Sequence, residues 1–150
     1  MIGAVSGRND IISQRGKTMI SVNLFVPDSV EALRFYEQAF YAVSYQTNFE
    51  AAKGEKSAKF IIGDDRFALA DENRIWGSTS PITLGGAPLC IQLFVEDVQA
   101  VITQALTVGA KLIDPSTEGQ PIITLSDGTQ FANLIDPFGF VWSISKEKLI

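Results

Sequence analysis

The chain has 150 residues, 46% hydrophobic and 19% charged, which suits one globular unit with a buried core and excludes a disordered or fibrous polymer. A formal charge of −5 without any lysine- or arginine-rich run excludes an electrostatic footprint for nucleic acid or for an anionic membrane surface. There is no histidine, so imidazole is unavailable as base, nucleophile partner or metal ligand, and the one cysteine, Cys90, closes no internal disulfide.

Residues 1–18 carry no sustained periodicity and no signal-peptide apolar core, and are read as an N-terminal extension, with Met1 and Met19 as alternative starts. No apolar run approaches the ~20 residues of a spanning helix, so the expected location is the cytoplasm. Residues 19–72 are expected to form a first module. It opens with the strand in Val22-Asn23-Leu24-Phe25-Val26-Pro27-Asp28. Asp28 then caps a helix, with Glu31 as the reciprocal capping-box residue and Val30, Leu33, Ala39 and Phe40 as its apolar stripe. Three β-rich runs follow, Tyr41–Asn48, Ser57–Ile62 and Arg66–Ala70, the last two joined by a Gly63-Asp64-Asp65 turn.

The stretch 73–88 has linker chemistry, with Asn73, Gly77, Ser78, Pro81, Gly85, Gly86 and Pro88. Beyond it the first motif returns, 69 residues on, as Ile91-Gln92-Leu93-Phe94-Val95-Glu96-Asp97. Residues 89–150 are read as a second module within the same domain. Asp97 caps a helix with the stripe Val98, Val101, Ile102, Ala105 and Val108, and Gly109 ends it. Strands are expected at Lys111–Asp114, Pro121–Leu125, Thr129–Ile135 and Phe140–Ser145, with turns at Asp127-Gly128 and Asp136-Pro137-Phe138-Gly139.

Side chains alternate across a strand, so each opening strand has two faces. Val22, Leu24 and Val26 would cover the first helix, leaving Ser21, Asn23 and Phe25 on the opposite face. In the second copy Ile91, Leu93 and Val95 face the helix, leaving Cys90, Gln92 and Phe94.

Asp136-Pro137-Phe138-Gly139 followed by the strand Phe140-Val141-Trp142-Ser143, after two strand–Asp–helix motifs, resembles the glyoxalase/bleomycin-resistance/dioxygenase (vicinal oxygen chelate) superfamily. Leu84-Gly85-Gly86-Ala87-Pro88 leading into Leu93-Phe94-Val95-Glu96-Asp97 is similar, more narrowly, to its PhnB-like branch. The resemblance spans about 20–146. It implies an α+β fold of two βαβββ modules whose curved mixed sheets enclose a groove, often completed in a dimer. It also implies histidine and glutamate ligands to a divalent ion on the first and last strands of each module.

Those ligands are missing here. The family's histidines would fall near Ser21 and near Cys90 or Gln92, its glutamates near Ala68 or Ala70 and near Ser143, and two PhnB-like histidines at Ser57 and Phe140. Of the carboxylates, Asp71, Glu72 and Asp114 alone are expected at strand ends near a groove mouth, which is too few oxygens for a hard cation. The expected ligand-binding residues are therefore Ser21, Asn23, Phe25, Ala68, Cys90, Gln92, Phe94 and Ser143, with Gln130 secondary, no catalytic residue, no metal and no cofactor. Asn23 and Gln92 either orient a ligand or satisfy each other and nearby backbone in a closed core. Cys90 is either a small packed hydrophobe or a lone functional thiol. Phe25, Tyr36, Phe94, Trp76 and Trp142 either wall a ligand or pack, with Trp142 in helix-facing phase and Trp76 in the linker as a lid or dimer contact.

The reading that follows is a homodimeric protein binding a small, partly apolar molecule without metal. Two alternatives remain at this point: a divalent-metal-dependent lyase or dioxygenase with atypical ligands, and a catalytically silent dimeric interaction module.

Overall fold

A computed structural model describes residues 18–146; the N-terminal extension apart from Thr18, and the C-terminal residues from 147 on, lie outside the described residues. Strand β1, Ser21–Val26, leads into helix α1, Ser29–Phe40. Asp28 caps α1 by accepting from Val30 N at 2.9 Å and Glu31 N at 3.2 Å. The expected reciprocal bond to the Glu31 carboxylate does not form among the described residues. Asp71 comes instead from the end of the sheet and accepts from Ser29 N at 2.9 Å. The same carboxylate accepts from Gly54 N and Lys56 N at 3.0 and 3.2 Å, which ties the 53–56 loop to the helix start.

The helix ends on Tyr41 at φ 58°, a left-handed residue that lets Ala42 N donate to Tyr36 O at 3.1 Å. That is why β2 covers Val43–Asn48 rather than starting at Tyr41. Strands β3, Ser57–Ile62, and β4, Asp65–Asp71, complete a sheet ordered β1-β4-β3-β2, with β1 and β4 parallel.

The linker contains more order than its composition suggests: a 3₁₀ turn at Arg74–Trp76 and a one-turn helix α2, Pro81–Leu84. Asn73 caps the first through Ile75 N at 3.1 Å, and Glu72 fastens the second, accepting from Ser80 Oγ at 2.8 Å and Thr83 Oγ1 at 2.6 Å.

The second module repeats the plan. Strand β5, Cys90–Phe94, precedes helix α3, Val98–Thr107, which Asp97 caps through Ala100 N at 3.0 Å. Short strands β6, Lys111–Leu112, and β7, Ile123–Thr124, then precede the long hairpin of β8, Gln130–Ile135, and β9, Val141–Lys146. The sheet order is β5-β9-β8-β6, with β7 also pairing β8 and β5 parallel to β9. The additional strand of the second copy is thus β7. The opening strands β1 and β5 are edges of their sheets.

The helix-facing sides of both sheets share one apolar core. Trp142 of β9 is fully buried and meets Tyr36, Phe40 and Phe67 of the first module at ring-centroid distances of 5.6, 4.6 and 6.0 Å. Gln104 of α3 donates to Gln38 O of α1 at 3.1 Å. Among the described residues no helix is long and apolar enough to cross a membrane.

Candidate functional site

With the helices packed on one side of each sheet, the other side is left open. On the first sheet that helix-free face is built in rows across the strands. Asn23 pairs with Ala68, Ala68 with Lys59 and Lys59 with Gln46, so an amide, a methyl, an ammonium and a second amide stand side by side. The next row runs Phe25, Ala70, Ser57, Asn48, and the row on the other side begins Ser21, Arg66, Ile61. A β-bulge in β2 between Ser44 and Gln46 leaves Tyr45 out of register, and its ring lies 6.0 Å from the Arg66 guanidinium. Asn23, Gln46, Asn48, Ser57, Lys59, Ala68 and Ala70 line a shallow open cavity of about 160 Å³.

The second sheet has the same register. Gln92 pairs with Ser143 and Ser143 with Asn133, in the places of Asn23, Ala68 and Lys59; Phe94, Ser145 and Phe131 form the adjoining row. Gln92 Nε2 donates to Ser145 Oγ at 3.3 Å, and the Ser143 and Ser145 hydroxyls are 3.2 Å apart. Cys90 is exposed at the start of β5, in register with Val141. Phe94 stands 52% exposed.

The parallel pairing of first and last strands sets candidate positions side by side within each module: Asn23 beside Ala68, Phe25 beside Ala70, Gln92 beside Ser143. Asn23 and Gln92 do not satisfy each other. The one lines a cavity made of first-module residues, while the other bonds within the second module. Reading single positions on the last strands missed Arg66 of β4 and Ser145 of β9, and leaving out the inner strands missed Lys59 of β3 and Gln46 of β2. Alternation carried along β4, β9 and β3 finds the first three, whereas Gln46 depends on the bulge.

The candidate wall of aromatics divides. Phe25 and Phe94 lie on the helix-free faces, but Tyr36 and Trp142 are fully buried in the common core and reach no open surface. Tyr36 donates its hydroxyl to Asp136, whose carboxylate also accepts from Trp142 Nε1 at 2.9 Å and from the backbone of Phe138 and Phe140 at 2.9 and 3.0 Å. Burial raises the pKa of Asp136 from its ordinary range against the pull of these donors, and burial first, then the nearby carboxylate, pushes Tyr36 well up. Trp76 is 77% exposed on its 3₁₀ turn beside Ile75.

The uncharacterized protein MT0910 of Mycobacterium tuberculosis is 32% identical to this chain over 146 residues, spanning 89% of the chain and 81% of that protein. The uncharacterized protein Mb0911c of Mycobacterium bovis is likewise 32% identical over 133 residues, spanning 85% of this chain and 82% of that one. The chain belongs to the family of these mycobacterial proteins. No protein-family profile matches it. Among solved structures, a glyoxalase-related enzyme from Fulvimarina pelagi superposes with a TM-score of 0.62 at 14% identity, covering 87% of this chain and 88% of that one. A glyoxalase/bleomycin resistance protein/dioxygenase family enzyme from Burkholderia phytofirmans does so with 0.60 at 20% identity, covering 84% and 95%. At these identities the likeness establishes the fold alone: the chain has the vicinal-oxygen-chelate architecture.

At the positions where the sequence resemblance places divalent-metal ligands, the chain carries a hydroxyl at Ser21 and Ser143, methyls at Ala68 and Ala70, a thiol at Cys90 and an amide at Gln92, a set that does not fit such an ion. Those neutral donors form no chelating cage for a hard cation. The carboxylates expected near a groove mouth are employed elsewhere: Asp71 at the start of α1, Glu72 on Ser80 and Thr83, and Asp114 on Ser116. Among the described residues no group of three or more Cys, Asp or Glu is arranged to hold a metal ion.

Proposed function

We propose that this chain is a cytoplasmic, homodimeric small-molecule-binding protein of the PhnB-like branch, holding a partly apolar ligand on its helix-free sheet faces without a metal. The observation that carries the reading is the chemistry of those faces. At the positions where chelators stand in metal-using members, this chain has hydrogen-bonding or apolar groups that orient a ligand and supply no Lewis acid.

Ser21, Asn23, Phe25 and Ala68 form the binding surface of the first sheet, and Cys90, Gln92, Phe94 and Ser143 that of the second. A 160 Å³ depression is small for a ligand site, since pockets for drug-sized molecules hold roughly 300 Å³ or more. That supports a site finished by a second copy, which would set the first-sheet face of one chain against the second-sheet face of the other. Phe94, Leu89, Ile20 and Val43, all large apolar side chains left exposed, are further support for such an interface. The Leu84-Gly85-Gly86-Ala87-Pro88 approach to β5 supports the assignment to the PhnB-like branch.

Thermal-shift screening of a metabolite and antibiotic panel, repeated with EDTA, tests the binding claim. A ligand that binds the folded state raises the unfolding temperature, and the expected hits survive EDTA. Hits abolished by EDTA and restored by a divalent ion would replace this reading with a metal-dependent one. Light scattering during gel filtration is expected to give twice the 16.3 kDa chain mass.

A further inference from the structure

The two helix-free faces are built on one register yet carry different chemistry. At the position of Lys59 in the first sheet the second sheet has Asn133; at that of Arg66 it has Val141; at that of Ser57 it has Phe131. The strand positions on the first face include two cations and no Asp or Glu, in a chain whose net charge is −5. Among the described residues neither Lys59 nor Arg66 has an ion-pair partner; Arg66 has only the Tyr45 ring. On an acidic protein, a surface kept free of carboxylates around unpaired cations is complementary to negative charge.

The geometry points to a small anion, a carboxylate or a phosphoryl group, seated over Ala68 with the Lys59 ammonium on one side and the Asn23 amide on the other. This rests on the reading that the first-sheet face binds a ligand. Strands lie about 4.8 Å apart, so the backbones of Asn23 and Lys59 are roughly 10 Å apart across β4. Ala68 between them presents only a methyl. Two longer side chains flanking a small one leave a slot whose floor is apolar and whose walls are donors. Gln46, beyond Lys59, and Ser57, in the next row, supply further donors at the slot's rim. The opposite sheet, with Phe94 and Phe131 on its open face, suits the apolar body of the same molecule.

Benzoate and phenylphosphonate, with neutral benzamide as control, are the probes, and backbone amide NMR shifts of the full chain are the readout. Both anions should move Asn23, Gln46, Lys59 and Ala68 and bind at least about tenfold more tightly than benzamide, as charge-assisted hydrogen bonds are about twice as strong as neutral ones. Whichever anion binds better names the head group. Lys59→Gln should remove the tenfold preference while leaving the rest of the spectrum unchanged, and Lys59→Arg should restore it. Benzamide binding as well as the anions, with K59Q unaffected, would overturn the anion assignment and leave the binding reading standing. If no probe moves this face, or if anions move signals all over the surface in proportion to salt, the slot is not an anion site; in the first case the first-sheet binding reading falls with it.

Discussion

Asp136 is only 4% exposed, and a carboxylate withdrawn from water that far needs donors. It has four, from Tyr36, Trp142, Phe138 and Phe140. Tyr36→Phe keeps the ring stacking on Phe60 and removes one donor, and is expected to cost about 1–3 kcal/mol at neutral pH. The size of that loss should depend on pH. Asp136 already has a raised folded-state pKa, so its protonation favours the folded state below the ordinary carboxylate range, and that contribution is lost as pH rises through the folded value. Removing the Tyr36 hydroxyl takes away a lowering influence and raises the folded value further. The difference between the two proteins should therefore be smallest in acid, where both are protonated, and widen toward neutral pH; urea titrations at stepped pH measure it. A difference that stays constant with pH would mean that the hydroxyl does not act through Asp136. The turn at Asp136-Pro137-Phe138-Gly139 was legible in the sequence. Its buried partner was not, because Tyr36 lies 100 residues away and helical periodicity gives the identity of a face, never what a hydroxyl on it touches.

Among the elements, strand phase was the most legible property: all six assignments of Val22, Leu24 and Val26 against Ser21, Asn23 and Phe25 hold, because burial on one side leaves no freedom of register. The linker was the least legible. Its glycines and prolines do make turns, yet Glu72 fastens it and α2 packs down onto the turn after β8. Gly139, at φ +92°, lies so close that a Cβ there would stand 2.8 Å from Pro81 Cβ and 3.4 Å from Ile82 N. Gly139→Ala is expected to destabilise by about 1–3 kcal/mol or more, from left-handed strain and the clash together. Hydrogen exchange should show the loosening first at Thr83–Gly86, while amides of β3 stay protected; uniform loss of protection would count against a local contact. Glu72 is held below the usual carboxylate range by Thr83 and by Ser80, so acid that protonates it should release the same segment. That sign is opposite to the one at Asp136.

At the scale of the molecule, the duplicated motif at a 69-residue offset was enough to give two βαβββ units. How they join was hidden, since Trp142, Phe40 and Phe67 meet from distant parts of the chain. A shared core predicts a single cooperative transition rather than two. In a Trp76→Phe variant Trp142 is the sole indole, and its fluorescence should change at the same denaturant concentration as the far-ultraviolet circular dichroism of the whole chain. Separate midpoints would show that the modules unfold independently.

The sheet edges set how the protein has to be handled. Neither Ser21–Val26 nor Cys90–Phe94 contains a charged residue or a proline, the usual safeguards on a strand with an unpaired side. Cys90 opens the second of these edges with its thiol exposed. Concentrated stocks that lose reductant are therefore expected to accumulate a disulfide-linked species on non-reducing gels, and Cys90→Ser should abolish that species without touching the core.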